Sequence, residues 1–212
     1  MLHPGIQNFC MLYRLLLLPL FLLHTYQGNK HWTVSTSSQS ATADSGHLRA
    51  IRLAKEAKIF CQKNKLDTGI CLLIDMSLPP GTNRFFIMEC SNNRIAASGL
   101  VAHGYGNSTA LQPGFSNISG SHSTSLGRYK TGTAYMGRFG LAYKLHGLDS
   151  TNSNAYSRNV VLHAHPCIPD TPVLPETICM SQGCPTVSPA FLATLKNYFD
   201  QCNAGLLLWI YH

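Results

Sequence analysis

Two short segments, RNVVLH at residues 158–163 and SQGCP at residues 181–185, determine how the rest of the chain is interpreted. The first is apolar and rich in β-branched residues, which predicts a strand that ends at His163. The second presents Cys184 directly after a glycine, in a turn closed by proline. A thiol acts as a nucleophile only as the thiolate, and a nearby imidazole both lowers the thiol pKa and carries the proton. Cys184 is therefore a candidate nucleophile with His163 as its base, and His165, which shares the same strand face, is the alternative base.

The residue before the cysteine is also informative, because Gly183 has no side chain to obstruct the approach of a substrate. A carbonyl group can then come close enough to use backbone N–H groups. We predict that the N–H groups of Gly183 and Cys184 form an oxyanion hole, and that Ser181 and Gln182 complete the turn.

Many segments around this pair match a known family in the right order. They are LIDMS (73–77), RFFIM (84–88), VAHG (101–104), FSN (115–117), STSLGRYKTG (123–132), HGLD (146–149), NA (154–155), RNVVLH (158–163) and SQGCPTV (181–187). Through them the chain resembles the YkuD-like L,D-transpeptidases of bacterial cell-wall synthesis, in the branch of murein L,D-transpeptidase catalytic domains. The resemblance runs from about Gly69 to the C-terminus.

The resemblance implies a reaction and a partner. Cys184 attacks the carbonyl of the third residue of a peptidoglycan stem peptide, forms a thioester and releases the terminal D-amino acid. An amine of a neighbouring stem, or water, then resolves the acyl-enzyme. The strand motif that ends at His163 selects this residue over His165 as the base. No cofactor is implied, and an L,D-carboxypeptidase that uses the same two residues is an alternative.

The resemblance also assigns site-shaping residues, and the chain departs from the family at two positions. Arg158 opens the strand motif, and His103 orders a long loop rather than taking part in proton transfer. The family usually carries glycine after the strand histidine, where this chain has Ala164. A common branch carries arginine where Thr186 stands. The second departure removes a cation, which leaves open how the substrate carboxylate is held.

Two rival functions follow from the same residues. His103, His122, His163, His165 and Cys184 are conceivable metal ligands, but their spacing matches no metal motif, so we predict no metal site. A secreted, disulfide-stabilised wall-binding module, in which Cys184 is bridged, is the non-enzymatic alternative.

Composition indicates one globular domain with an anionic partner. The 212 residues contain 45% hydrophobic and 12% charged residues, and the formal charge is +7. Such a charge suits an anionic polymer or surface. No Lys/Arg-rich run and no helix-turn-helix pattern is present, so nucleic-acid binding is not predicted.

The N-terminus predicts export to the periplasm or cell envelope of a bacterium. The apolar run Met11–Leu23 carries the positive Arg14 ahead of the leucines at 15–18 and is broken by Pro19, as in a secretory signal peptide. We predict a signal peptide at residues 1–27, with an uncleaved anchor as the alternative, and a Ser/Thr-rich linker at residues 28–46. The catalytic domain then occupies residues 47–212, and membrane contact is limited to export or to that anchor.

Eight cysteines suggest disulfides in an exported chain. We hypothesise a bridge between Cys167 and Cys179, which flank a proline-rich loop next to the nucleophile; the alternative is that both are reduced. For Cys71 and Cys90, which lie in apolar strand-like segments, we favour buried thiols.

The predicted fold is mainly β: a YkuD-type antiparallel β domain with an N-terminal helix and a helix after the nucleophile. Apolar runs predict strands at residues 70–76, 84–88, 94–102, 139–145, 159–163 and 206–211. Helical spacing predicts helices at residues 47–66 and 189–202. Residues 104–132, rich in Gly, Ser and Asn, are predicted to form a long functional loop.

Overall fold

The computed structural model describes residues 36–202 and 204–212, with side chains from Asp44 onward. Two helices flank a single sheet of eight strands. The helices are α1 (Thr36–Asn64) and α2 (Pro189–Asp200), with a short 3-10 turn at Ser150–Asn152. The strands are β1 (Ile70–Asp75), β2 (Phe85–Glu89), β3 (Arg94–Gly99), β4 (Gly127–Gly137), β5 (Gly140–Gly147), β6 (Val161–Ala164), β7 (Thr186–Val187) and β8 (Leu207–Tyr211).

The sheet is mixed, with the strand order β3-β2-β1-β8-β4-β5-β6-β7. Five of its seven strand pairs are antiparallel, and the pairs β1–β8 and β6–β7 are parallel. The predicted mainly β domain with its two helices is confirmed, but the sheet is not wholly antiparallel. Both parallel pairs join strands that are far apart in sequence, so the local apolar pattern gave no sign of their direction.

The central strand β1 is buried on both faces, because its side chains alternate between two cores. Leu72 and Ile74 belong to the core beneath α2, whereas Cys71 and Leu73 belong to the core beneath α1. This double burial explains why β1 is a continuous apolar run rather than an alternating one.

Helix α1 covers one face of the sheet with a stripe of small residues. Ala50, Ala54, Ala57 and Cys61 recur at helical spacing and are fully buried. On the opposite side, Ser188 caps α2 by accepting a hydrogen bond from the backbone N–H of Phe191 at 3.1 Å.

Helix α1 begins at Thr36, so residues 36–46 of the segment predicted as a linker are helical. The apolar stripe that predicted a helix starts only near residue 48, so the first turns carry no packing signal. Propagating an existing helix costs far less than nucleating one, and the packed turns supply the nucleus. The predicted signal peptide at residues 1–27 lies outside the described residues. Among the described residues, no helix combines the length and apolar character that a membrane span requires.

The predicted loop at residues 104–132 is wrong at its end, because β4 starts at Gly127. This strand has glycine and threonine in place of alternating apolar residues, so its sequence resembles a loop. It is held by pairing on both sides, with β5 and with β8. Strands β4 and β5 form a hairpin in which Gly137 pairs with Gly140, leaving Arg138 and Phe139 at the tip.

The hypothesised bridge between Cys167 and Cys179 is confirmed, with a Cα–Cα distance of 6.1 Å. Ile168 and Ile178, each next to one half of the bridge, are buried in a small core of their own. Cys71 and Cys90 are free and buried, as favoured from the sequence, with their sulfurs 3.3 Å apart.

Removing the bridge should destabilise the domain. For a loop with a sequence separation of 12 residues, we expect the double replacement Cys167→Ser/Cys179→Ser to lower the free energy of unfolding by about 3 kcal/mol, because the unfolded chain gains freedom. Guanidinium denaturation followed by circular dichroism measures this loss. Cys202→Ser, which removes a free thiol, is the control, and equal midpoints for all three proteins would contradict the expectation.

Candidate active site

The structure brings Cys184 and His163 into one pocket of about 440 Å³. The pocket lies between the end of β6, the turn before β7 and the tip of the β4–β5 hairpin. Three other predicted site residues, His165, Ser181 and Gln182, also line it.

His163 stands at the buried end of β6 with both ring nitrogens engaged. Its Nδ1 lies 3.0 Å from the carbonyl oxygen of Ala164. Because a carbonyl only accepts, Nδ1 carries the hydrogen and Nε2 keeps a lone pair. The ring of Phe139 stacks on the imidazole at 5.1 Å between centroids. Burial lowers the pKa of His163, and the nearby His165 lowers it further against the effect of the Ala164 carbonyl. The imidazole is therefore neutral, and Nε2 is its proton-accepting nitrogen.

Thr186 is a site residue that the sequence interpretation missed. Its Oγ1 lies 3.0 Å from Nε2 of His163 and 3.3 Å from the carbonyl oxygen of Cys184. The hydroxyl has a single hydrogen, so turning it to the carbonyl frees the Nε2 lone pair. The parallel pairing of β6 with β7 sets Thr186 opposite His163. From the sequence, this position two residues after the nucleophile was discussed only because a common branch of the family carries arginine there.

Cys184 is a free, half-buried thiol. The backbone N–H of Val161 donates to its Sγ at 3.4 Å, and the S–H donates to the carbonyl of Asn159 at 3.8 Å. Burial raises the pKa of the thiol, and the Val161 N–H and the positive charge of Arg158 partly offset this. Within the described residues, Sγ makes no hydrogen bond to His163. The resting pair is thus a neutral thiol beside a neutral imidazole.

Gly183 takes a left-handed conformation with φ +108°. A Cβ at this position would lie 2.8 Å from the carbonyl oxygen of Ser123, so any side chain is excluded. The Gly183 N–H donates to Oγ of Ser181 at 3.1 Å, and that hydroxyl donates to the carbonyl of Cys184 at 2.6 Å. Of the two N–H groups predicted to form the oxyanion hole, that of Gly183 is thus already hydrogen-bonded to Ser181. The Cys184 N–H has no acceptor in the described part of the chain.

His165 lines the pocket but faces the disulfide. Its Nδ1 lies 2.8 Å from Sγ of Cys167, and its ring meets Phe139 edge-on at 5.6 Å. His165, Cys167 and Cys179 form the one group of potential metal ligands found among the described side chains. The two sulfurs are bonded to each other and offer no thiolate, so this group does not fit a metal ion.

His103 and Arg158 lie outside the pocket and order the long loop. Nε2 of the buried His103 bonds to the carbonyl of Thr109, and its Nδ1 to the guanidinium of Arg84, each at 3.0 Å. Arg158 donates to four oxygens of the loop, namely the carbonyls of Ser116 and Ser123 and the hydroxyls of Ser121 and Ser125. Both residues hold the loop that packs behind Gly183, and neither is free to bind a substrate.

The tip of the β4–β5 hairpin forms a wall that was also missed. Arg138 and Phe139 line the pocket there, with Tyr135 of β4 and Tyr105 of the long loop. The sequence signal was limited to Gly137 and Gly140, because glycines favour a turn. This signal predicts a turn, but it does not indicate that the turn lies over the pocket of Cys184 and His163.

The neutral resting pair predicts how the thiol reacts with pH. We expect alkylation of Cys184 by iodoacetamide to accelerate from about pH 6 to about pH 10, because only the thiolate reacts and burial keeps it scarce at neutral pH. Alkylation of the Cys184→Ala variant gives the background of the other thiols. A rate that stays constant across this range would reveal a preformed thiolate–imidazolium pair and contradict the expectation.

A neutral thiol, a neutral imidazole whose Nε2 meets, among the described residues, only the rotatable Thr186 hydroxyl, and an open N–H in one pocket define a protein equipped for nucleophilic attack by cysteine on a carbonyl. Residues 45–211 match the family model described as the L,D-transpeptidase catalytic domain, so the chain belongs to this family. No curated protein sequence matches the chain significantly.

The chain is similar to solved structures from several bacteria. The helical cell shape determining protein Pgp2 (K307A mutant) of Campylobacter jejuni is 13% identical with a TM-score of 0.46, over 68% of this chain and 47% of that one. An L,D-transpeptidase of Mycobacterium smegmatis is 12% identical with a TM-score of 0.40, over 68% and 59%. L,D-transpeptidase 3 of Mycobacterium tuberculosis is 11% identical with a TM-score of 0.39, over 68% and 61%. The chain thus spans less than two thirds of the length of these proteins.

Proposed function

We propose that the protein is an exported cysteine acyltransferase that performs L,D-transpeptidation on peptidoglycan stem peptides. The observation that carries this proposal is the shared pocket of Cys184 and His163 in a chain of the L,D-transpeptidase catalytic domain family.

In the acylation step, Nε2 of His163 takes the proton of the Cys184 thiol after Thr186 turns its hydroxyl away. The sulfur attacks the carbonyl carbon of the third stem residue, and the developing oxyanion is stabilised by the open Cys184 N–H. Collapse of the tetrahedral intermediate breaks the peptide bond. The imidazolium returns its proton to the departing nitrogen, which leaves a thioester and a free D-amino acid.

In the second step, the amine of a neighbouring stem loses a proton to Nε2 of His163 and attacks the thioester. Expulsion of the thiolate, which takes back the proton, forms the cross-link and regenerates the thiol. Water in place of the amine gives carboxypeptidase action.

The non-enzymatic alternative required a bridged Cys184. It loses support because this thiol is free and the disulfide joins Cys167 to Cys179 instead. The same disulfide supports the proposed export, because such bonds persist in oxidising compartments. The predicted signal peptide at residues 1–27 is the proposed route.

Incubation with tetrapeptide-bearing muropeptides, followed by mass spectrometry, tests the function. Both activities release the free D-amino acid; transpeptidation also yields cross-linked dimers, whereas carboxypeptidase action yields tripeptides without cross-links. Substrate that remains unchanged with wild-type protein, and equally with the Cys184→Ala control, would refute both activities.

A further inference from the structure

The hairpin tip holds a guanidinium at the mouth of the pocket. Arg138 is exposed and lines the pocket beside Phe139. The tip is fixed there because Phe139 stacks on His163 and meets His165 edge-on. A cation is therefore presented beside the catalytic base by an aromatic anchor.

This guanidinium has no partner of its own in the described part of the chain. Arg138 makes no ion pair or hydrogen bond there, and its one aromatic contact is with Phe139, at 5.7 Å from the ring centre. Arg158, the other arginine near the site, already donates to four oxygens. The hydrogen-bonding capacity of Arg138 is thus open to a ligand.

The surroundings of Arg138 favour an anion. No Asp or Glu is among the residues that line the pocket. Arg138 is the one lysine or arginine among the residues that line the pocket. Thr186, two residues after the nucleophile, is neutral. An arginine fork pairs with a carboxylate through two parallel hydrogen bonds, which fixes orientation as well as position.

We propose that Arg138 binds the α-carboxylate of the terminal D-amino acid of the donor stem. This inference rests on the proposed function, since it concerns the leaving group of that reaction. Only the amide nitrogen and one Cα separate this carboxylate from the attacked carbonyl carbon. A carboxylate held at the hairpin tip therefore keeps the scissile bond within the pocket that contains Cys184. The site selects stems that end with a free carboxylate directly after the attacked bond.

Binding to the Cys184→Ala protein tests the site without chemistry. Titration calorimetry compares a donor tetrapeptide that has a free C-terminal carboxylate with the same peptide as its C-terminal amide. We expect the free acid to bind about 10- to 100-fold more tightly, the range for a hydrogen-bonded charge pair. Arg138→Gln in this background should remove the preference by weakening the acid peptide alone. Arg52→Gln, which removes an equal charge from the exposed face of α1, should preserve it.

Three outcomes separate this site from the proposed function. If Arg138→Gln weakens both peptides equally, or neither, the carboxylate site is overturned, and turnover by the wild-type protein decides the function independently. If both peptides fail to bind and the wild type leaves muropeptides unchanged, the proposed function falls and the site with it. Loss of the acid preference in Arg138→Gln, with the preference intact in Arg52→Gln, establishes the site.

Discussion

Replacement of Cys184 by Ala or Ser should abolish acyl-enzyme formation and turnover. The thiol is the group that forms the covalent bond, and loss of a nucleophile costs on the order of 10⁴ to 10⁶ in rate. Serine keeps the shape of the side chain, but its hydroxyl is far less acidic than a thiol. The measurement is release of the D-amino acid from a tetrapeptide donor.

A matched control separates this effect from general damage. Cys202→Ser removes a second half-buried free thiol, which lies outside the pocket, and it should keep turnover near the wild-type rate. Unfolding curves should show that the Cys184 variants retain the fold. Substantial turnover by folded Cys184→Ala would rule out the covalent mechanism.

Replacement of His163 by Ala should lower kcat/KM by on the order of 10² to 10⁴, the range for loss of a general base. The neutral Nε2 is the proton acceptor in the proposed mechanism. Among the described residues, His163 is the one side chain that hydrogen-bonds to Thr186. Because the imidazole is buried, its loss also disturbs the packing of Phe139, so the free energy of unfolding is measured in parallel.

His165→Ala is the comparison for this result. Its ring faces the Cys167 sulfur rather than the nucleophile, so its removal should cost much less activity. If His165→Ala were the more damaging change in a stably folded protein, the assignment of the base would be wrong.

The parts of the fold that could be predicted are those with a local signal. The apolar segments of β1 and β8 predict strands that are buried at the centre of the sheet. The pair Ser188-Pro189, a capping residue followed by a proline at the first helical position, predicts the start of α2. Strand β4 could not be recognised, because its glycines and threonines lack apolar alternation and its first residues pair with β8, far away in the sequence. The direction of β8 is similarly a tertiary property, set by its insertion between β1 and β4.

In the candidate site, too, some residues have a local sequence signal and others depend on the tertiary structure. Cys184 and His163 could be predicted because each lies in a segment with its own chemical signal, and the family resemblance selected His163 over His165. Thr186 and Arg138 were missed because their roles exist only after β6 pairs with β7 and the hairpin tip reaches the pocket. The availability of the Gly183 N–H likewise depends on the rotamer of Ser181, which the residue types alone do not determine.

The most direct test of the central claim is the intact mass of the protein during turnover. Rapid acid quenching after mixing with a tetrapeptide donor should show an adduct equal to the donor without its terminal D-amino acid. Peptide mapping should place this adduct on Cys184, and it should be absent from Cys184→Ala. Turnover without such an adduct, or an adduct on another residue, would contradict the account.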